Sequence, residues 1–534
     1  MMGLLTLFAD FACWSTVVGL PHIVSSKSKK WLLFWSAVFL VLLGVFCYEL
    51  WLMISTLLSY PSAVGTEILY EQQRFPVVTI CNQNPYKKSV LSANAAFGEI
   101  VTMLKNYHNA SYKILALGDP YGFAAVQNDD YLLQWRGTTW LSMLASKLSP
   151  ADLSSAMYSY DDLVAECKFN GQSCSASDFS QFMDPIYGFC YSFNNDKSLN
   201  YSTNRAGMKF GLKMIITPKQ SFPNSDDIST TQDYIATTWM SGARVFVGSA
   251  GDYPQVFGSG TNIAVGYQAV LALSPSKIVR AQQPCGDCND ENSAANYYPN
   301  YNYNMETCLD TCRQVVHEKT CGCSNPRFLK KDTDAFCTTN SQVDCMMTLQ
   351  GDQANTTNPN PDMKETCGCT PPCQENDFGV TMSLAKFPAT MYSVVTANAN
   401  NPSCDGTSQP FTSGIDRCRS WYAANAVQLI VYFESLKYEK YTEDCSYTMQ
   451  DLINDLGGHA GLWLGLSVIS VVEMAGLILL LLCYCTTCGK YELRPSDTEY
   501  EKDERMRALD EMDRELDQKE THHNNLKAES DVDN

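Results

Sequence analysis

The stretch that decides the fold reads Gly457-Gly-His-Ala-Gly-Leu-Trp-Leu-Gly-Leu-Ser-Val-Ile-Ser-Val-Val-Glu473. It lies within an apolar run from Leu456 to about Cys485, which exceeds the ~20 residues that a helix needs to cross a bilayer. Ser467, Ser470 and Glu473 recur at three-residue intervals and therefore share one face of that helix. Because lipid offers polar groups no hydrogen bonds, we expect this face to contact protein or water.

Two interpretations of the polar face remain open. In one, several copies of the chain surround an aqueous pore, where Gly465-Leu466-Ser467 contacts dehydrated ions and rings of Glu473 and Asp455 favour cations. In the other, the polar side chains bond a second helix in a non-conducting bundle, and the chain is a cell-surface receptor. A pore explains the repeated polar positions more economically, and Gly461 with Gly465 allows close helix packing.

An earlier apolar run, from Trp31 to Leu58, predicts another spanning helix. Lys27, Lys29 and Lys30 precede it without a signal-peptide pattern, so we expect the amino terminus, and after two crossings the carboxyl terminus, in the cytosol. The chain is thus predicted to be a multi-pass protein of the plasma membrane. Its predicted segments are the cytosolic amino terminus (1–30), first transmembrane helix (31–58), extracellular domain (59–455), pore-lining second transmembrane helix (456–485) and acidic cytosolic tail (486–534).

The extracellular segment is rich in cysteine. It holds eighteen of the 23 cysteines, and eleven of them fall between Cys285 and Cys373. An even number outside the cytosol predicts a disulfide framework. Zinc binding by Cys285-x-x-Cys288 or Cys321-x-Cys323 is less favoured, because extracellular thiols oxidise. N-x-S/T sequons predict glycosylation at Asn109, Asn200 and Asn355.

Composition and motifs narrow the function further. The net charge of −19 argues against a nucleic-acid partner. No G-x-S-x-G, H-E-x-x-H or phosphate-loop pattern indicates an enzyme, and we expect no cofactor and no metal site. Runs rich in β-branched residues alternate with helical segments, which favours a mixed α+β extracellular domain with a helical part between about Ser89 and Leu163.

Four segments together resemble the degenerin/epithelial sodium channel family, which includes acid-sensing and peptide-gated sodium channels. They follow the family's order along nearly the whole chain. The segments are Phe75-Pro-Val-Val-Thr-Ile-Cys-Asn-Gln-Asn-Pro85, Gly188-Phe-Cys-Tyr-Ser-Phe-Asn194, Tyr432-Phe-Glu-Ser-Leu-Lys-Tyr-Glu439 and the stretch Gly457–Glu473 quoted above.

The resemblance implies a homotrimeric, amiloride-sensitive channel that conducts Na⁺. Each subunit would have two transmembrane helices in the bilayer and a large disulfide-rich ectodomain of palm, finger, thumb, knuckle and β-ball. The finger would lie at about 89–165 and the cysteine-rich thumb at about 285–373.

By position, the resemblance also assigns roles to residues of the pore and the gate. The family's amino-terminal His-Gly gating motif corresponds to Val18 and Gly19, so we expect hydrogen bonding at the inner pore to differ. The selectivity filter and pore would comprise Gly465, Leu466, Ser467, Ser470 and Glu473, and the gate Asn454, Asp455 and Gly458.

The family's cysteine pattern implies seven disulfides. They are Cys81–Cys190, Cys167–Cys174, Cys288–Cys373, Cys308–Cys369, Cys312–Cys367, Cys321–Cys345 and Cys323–Cys337. The resemblance assigns no partners to Cys285, Cys404, Cys418 and Cys445.

The stimulus is predicted from a shorter match. Gly19-Leu-Pro-His-Ile-Val24 resembles a stretch of the invertebrate FMRFamide-gated sodium channels, so we expect an extracellular amidated neuropeptide as agonist. A proton-gated channel is less favoured because His108 and His317 are the only imidazoles of the extracellular segment. A constitutively open sodium channel is a further alternative. Acidic and aromatic residues would receive the peptide, and the candidates are Asp119, Tyr121, Phe123, Asp129, Asp130, Tyr131 and Trp135.

Overall fold

The computed structural model describes residues 11–12, 15–17, 19–26, 28–116, 118–196, 198, 201–220, 233–289, 297–331, 333–349, 367–390, 392 and 417–486. The chain forms two compact units. One comprises Met1–Pro61 with Tyr447–Asn534, and the other comprises Ser62–Ser446.

Helices occur in both units. In chain order they are α1 (Leu20–Val24), α2 (Lys29–Leu58), α3 (Lys88–Ala93), α4 (Gly98–Ser111), α5 (Phe123–Val126), α6 (Asp130–Ser146), α7 (Pro150–Ala156), α8 (Tyr160–Leu163), α9 (Val256–Ser259), α10 (Met305–Cys321), α11 (Asn340–Leu349), α12 (Arg417–Asn425), α13 (Met449–Leu464) and α14 (Val468–Thr486).

Within the described part of the chain, every strand belongs to the unit Ser62–Ser446. They are β1 (Ser62–Tyr70), β2 (Gln73–Arg74), β3 (Val77–Asn82), β4 (Val164–Phe169), β5 (Gln172–Ser173), β6 (Phe179–Asp184), β7 (Gly188–Phe193), β8 (Ser202–Thr203), β9 (Leu212–Ile216), β10 (Gly242–Gly248), β11 (Thr261–Ala264), β12 (Tyr267–Val279), β13 (Gln374–Lys386), β14 (Val427–Phe433) and β15 (Lys437–Cys445).

Two larger sheets share one apolar core. The first has the order β1-β15-β12-β14-β9-β4-β5 with β13 paired to β12, and the second has the order β11-β10-β3-β7-β6. Strand β12 runs parallel to β14 and β15 and antiparallel to β13. Buried Ile80 and Phe193 of the second sheet belong to the same cluster as Leu271 and Val431 of the first. Burial of such side chains, at about 1.5–3 kcal/mol each, holds the sheets together.

A separate core lies among the helices that follow β3. Met103 of α4 and Trp140 and Leu144 of α6 are buried together with Met346 of α11. Arg136 of α6 is also buried and donates a hydrogen bond to Asp344 Oδ1 of α11 at 2.8 Å. These helices therefore form a layer that extends the predicted helical part to include α11. The mixed helix and sheet composition predicted from the sequence is confirmed.

The predicted first transmembrane segment is a single helix, α2, whose bounds differ from the prediction by two residues at its start. Among the described residues, it is the one helix that is by itself long and apolar enough to cross a membrane. Its side chains are largely exposed, and Met53 is the buried exception. An uninterrupted run of helix-compatible apolar residues accounts for this element.

In the structure, the segment predicted as the second transmembrane helix, 456–485, is divided between two helices. Helix α13 begins earlier, at Met449, because Thr448 and Asp451 form a capping box at its amino end. The helix ends at Leu464, and Gly465 follows with φ of 64°, a left-handed conformation that favours glycine. Helices α13 and α14 bend by 84° at this break, and they match a membrane span only when taken as a pair.

The structure contains all seven disulfides that the family pattern implies. It also joins Cys285 to Cys445, which connects the segment after β12 to the end of β15. The cysteines considered as zinc ligands are therefore all oxidised partners. Cys404 and the side chain of Cys418 lie outside the described residues.

Candidate functional site

The predicted filter, Gly465-Leu466-Ser467, coincides with the break between α13 and α14. The N–H groups of Gly465 and Leu466 bond to the carbonyls of Gly461 and Ala460, which ends α13 without leaving these donors unpaired. Backbone outside a helix is tolerated at membrane depth where it is buried in protein or lines a water-filled cavity. The break therefore favours a protein or water environment for these three residues over a lipid one.

The polar residues of α14 come together as the sequence predicts. Ser470 is fully buried, and its Oγ accepts a hydrogen bond from the Ser467 N–H at 3.1 Å. The Oγ atoms of Ser467 and Ser470 lie 3.4 Å apart. Sequence reasoning missed the partner of this stripe, which is Thr16 in the amino-terminal segment.

Thr16 connects the amino-terminal segment to α14. Its Oγ1 lies 2.6 Å from Ser470 Oγ and donates to Glu473 Oε2 at 3.0 Å, and its N–H donates to the same Glu473 oxygen at 3.0 Å. The polar face of α14 thus has partners within its own subunit. The departure from the family's His-Gly motif was a signal that bonding would differ here, but it did not identify Thr16.

Gly19 lies beside α2. Its φ is 99°, and a Cβ at this position would approach Phe39 Cδ2 to 3.3 Å, so a larger residue would be strained as well as crowded. His22 of α1 stacks on Trp35 of α2 with ring centroids 4.7 Å apart. Val18, the other half of the predicted gating motif, lies outside the described residues.

The predicted gate residues Asn454, Asp455 and Gly458 all lie in α13. Asn454 and Asp455 are exposed, and Asp455 Oδ2 accepts a hydrogen bond from the Tyr447 hydroxyl at 2.9 Å. A Cβ built at Gly458 would meet no atom within 4 Å. A methyl side chain at Gly458 would therefore meet no atom of its own subunit.

Four of the seven predicted peptide-binding residues have structural roles. Asp119 accepts the N–H groups of Tyr121, Phe123 and Ala124, and Asp129 caps α6 by accepting the Leu132 N–H. Phe123 is fully buried, and the partly buried Tyr121 packs against the same core. Phe123 is too deeply buried to contact a ligand, and the two carboxylates are already bonded to backbone.

The remaining candidates lie at the surface. Asp130 and Tyr131 are exposed, and Tyr131 and Trp135 line a cavity of about 340 Å³ beside α6. The cavity is also bounded by the segment 237–240, by Arg244 of β10, by Phe257 of α9 and by Arg327 after α10. The sequence indicated Tyr131 and Trp135 as aromatic candidates. It could not predict that Arg244 and Arg327 line the same cavity.

One of the three predicted glycosylation sites lies within the described residues. Asn109, the first sequon, is partly exposed near the end of α4, whereas Asn200 and Asn355 lie outside the described residues. No group of three or more potential metal ligands occurs within the described ranges.

Comparison with known proteins identifies the family of this chain. A family model described as amiloride-sensitive sodium channel matches residues 11–477. Degenerin-like protein asic-2 of Caenorhabditis elegans is 42% identical over 532 residues, which cover 99% of this chain and 96% of that protein. Degenerin unc-8 of the same organism and degenerin mec-4 of Caenorhabditis briggsae are each 30% identical, over 62% and 60% of this chain and 40% and 38% of their own lengths. The chain therefore belongs to the amiloride-sensitive sodium channel family, whose members are ion channels of the plasma membrane and not enzymes.

Proposed function

We propose that this chain is the subunit of a homotrimeric, sodium-selective channel whose ion path is lined by the segment from Gly465 to Glu473. The observation that supports this most directly is the helix break at Gly465, Leu466 and Ser467, followed by the polar side chains of Ser470 and Glu473. A helix break that is followed by polar residues is expected where backbone and hydroxyl oxygens replace the water around an ion.

The mechanism follows from the charges along this path. Carboxylates at the outer end of α13, with Asp455 the candidate at the gate, would concentrate cations, and Glu473 would maintain a negative potential toward the inner end. One subunit supplies too few helices to enclose a pore, so several copies must surround an axis. Na⁺ would then move down its gradient when the α13 helices separate.

We also propose both crossings of the membrane, with cytosolic ends, and block by amiloride. The apolar helix α2 and the bent pair α13–α14 are the two elements that would cross. We propose an extracellular amidated neuropeptide as the stimulus. This proposal rests on the resemblance of Gly19–Val24 alone. The structural roles of Asp119, Phe123 and Asp129 remove support for the site first predicted for that peptide.

Current recording on the expressed full chain tests conduction. Replacement of Asn454 by a bulky residue should hold the channel open, because the position lies on the exposed face of α13. We expect an inward Na⁺ current that amiloride reduces, and amidated peptides and pH steps applied to the unmodified channel should identify its stimulus. Absence of any cation current from a protein that reaches the surface, with and without this replacement, would favour a non-conducting receptor.

Selective changes in the path test the pore assignment. We expect Ser467→Ala or Glu473→Ala to change the Na⁺/K⁺ permeability ratio or the single-channel conductance without reducing surface expression. Val472→Ala, on the exposed face of α14, is the matched control and should leave both quantities unchanged. If both quantities also stay unchanged for the two polar variants, these side chains do not line the path.

A further inference from the structure

The disulfide between Cys285 and Cys445 lies where the chain leaves the unit Ser62–Ser446. Cys445 is the last residue of β15, and α13 begins at Met449. In the antiparallel pair of β1 and β15, Cys445 is opposite Ser62, the first residue of the unit. The disulfide therefore secures a strand end from which the chain continues on one side toward α2 and on the other toward α13.

Cys285 belongs to a segment, residues 280–289, that has anchors of its own. The Arg280 N–H donates to the Cys373 carbonyl at 2.8 Å. Cys288 forms a disulfide with the same Cys373. Neither anchor involves β15, so we expect this segment to stay in place when the Cys285 disulfide is broken.

The end of β15 extends past its pairing with β12. The parallel register of the two strands ends at Val279 and Thr442. Beyond that point, the Ala281 N–H donates to Glu443 Oε2 at 3.2 Å, and the disulfide adds a covalent link. Loss of the disulfide would therefore loosen the end of β15 while the ladder as far as Thr442 persists.

Exposure distinguishes this disulfide from the other seven that the structure describes. Cys445 is exposed, whereas none of the cysteines in those seven is. Cys81 and Cys190, for example, are both fully buried. A thiolate must reach a sulfur atom before it can exchange with it, so access limits the rate. Of the described disulfides, the one at Cys445 is therefore the most open to a reductant.

We propose that Cys285–Cys445 is a site of reversible thiol–disulfide exchange, at which an extracellular dithiol reduces this one bond and releases the end of β15. One thiolate of the dithiol attacks the sulfur of the exposed Cys445 and forms a mixed disulfide, and Cys285 leaves as a thiolate that takes up a proton. The second sulfur of the dithiol then attacks the first, which closes an internal disulfide and releases Cys445 as a thiol. Two electrons and two protons pass from the dithiol to the two cysteines.

The inference goes beyond sodium conduction, because it concerns the chemistry of one disulfide. It uses the proposed extracellular location only for the source of the dithiol, so its failure would leave the channel proposal unaffected. Helix α13 carries the proposed gate residue Asp455. Release of the strand end would therefore remove a covalent constraint on the chain that leads into this helix.

Differential alkylation tests which bond is reduced. The full-length protein in lipid nanodiscs is treated with N-ethylmaleimide to block free thiols and then with dithiothreitol, and new thiols are labelled with deuterated N-ethylmaleimide at successive times. Peptide mass spectrometry measures the label at each cysteine. We expect Cys285 and Cys445 to be labelled at least tenfold faster than the cysteines of the other seven disulfides. In an unalkylated sample, removal of dithiothreitol and addition of hydroxyethyl disulfide should restore the bond.

Three results of this experiment would overturn the proposal. They are equal or earlier labelling at one of the other seven disulfides, no labelling of Cys285 and Cys445, and a bond that does not form again after the reductant is removed.

Hydrogen–deuterium exchange then tests what the reduction releases. We expect peptides that cover residues 443–446 to exchange at least tenfold faster after reduction, and peptides from β14 to exchange as before. Cys285→Ser/Cys445→Ser should show the fast exchange without dithiothreitol, whereas Cys167→Ser/Cys174→Ser, the matched control, should show it only after reduction. Unchanged exchange at 443–446 after reduction, or faster exchange throughout β14 as well, would contradict a local release. The labelling of the unmodified protein remains decisive if a variant fails to fold.

Discussion

Thr16 and Glu473, which lie 457 positions apart in the chain, are joined by two hydrogen bonds to one carboxylate oxygen. Thr16 also lies 2.6 Å from Ser470 through its Oγ1. The amino-terminal segment therefore positions the polar face of α14, and both elements belong to the same compact unit.

The hydroxyl of Thr16 can be removed without changing the shape of the residue. In Thr16→Val, Glu473 keeps the backbone hydrogen bond but loses the side-chain one, at a cost of about 1.5–3 kcal/mol for a bond to a charged group. We expect an altered Na⁺/K⁺ permeability ratio, measured from reversal potentials. Thr16→Ser keeps the hydroxyl and should behave as the unmodified channel. An unchanged ratio in Thr16→Val at normal surface expression would show that this contact does not affect the ion path.

The break between α13 and α14 depends on Gly465. In Gly465→Ala, the φ of 64° places a Cβ in the left-handed region, which costs about 1–2 kcal/mol. We expect a lower melting temperature of the purified protein and a changed single-channel conductance. Gly476→Ala is the control: it lies within α14 with no atom within 4 Å of a built Cβ, and the change should stabilise the helix by up to about 1 kcal/mol. Equal effects of the two substitutions would argue against a special conformation at Gly465.

The Cys285–Cys445 disulfide closes a much longer loop than Cys167–Cys174. The sequence separations are 160 and 7, for which the chain-entropy description gives roughly 5 and 2 kcal/mol. We therefore expect the double variant Cys285→Ser/Cys445→Ser to lower the free energy of unfolding more than Cys167→Ser/Cys174→Ser. Chemical denaturation of the purified protein measures both. A larger loss in the short-loop variant would indicate that strain or packing outweighs loop entropy.

Asp310 of α10 makes the unit Ser62–Ser446 sensitive to pH. Burial raises the pKa of Asp310 to about 6, although Arg313 and Gln255 oppose the shift. The folded state therefore holds this proton more tightly than the unfolded state, in which the Asp side chain has a pKa of about 3.9. The contribution is fully present below pH ~4 and is lost as the pH rises to about 6.

Replacing Asp310 removes this pH dependence. We expect Asp310→Asn to flatten the fall in melting temperature between pH 4 and 6 and to stabilise the protein at neutral pH by on the order of 2–3 kcal/mol. The exposed Asp161→Asn should leave the pH profile unchanged. A profile that is identical for Asp310→Asn and the unmodified protein would show that another group is responsible.

Much of the framework could be predicted because it depends on local pattern or on motifs. The helix over 31–58 follows from a continuous apolar run, and the seven disulfides follow from the family's cysteine spacing. The helix break in the second apolar segment could not be predicted in this way. A hydropathy pattern shows how long and how apolar a segment is, but it does not show that Gly465 has a left-handed φ angle. For a related reason, the sequence did not reveal the structural contacts of four of the seven candidates for a peptide site. Composition cannot distinguish an aspartate that caps a helix, such as Asp129, from one that is available to a ligand.

The sequence alone determined the family, the apolar segments and the polar face of Ser467, Ser470 and Glu473, because each is written in residue type and spacing along one stretch of chain. Tertiary structure decided what that face contacts, where Cys285 pairs, and that Arg327 stands between Trp135 and Phe257. These contacts join residues from 70 to more than 450 positions apart. Which distant groups meet depends on the packing of whole elements, and no local pattern encodes that packing.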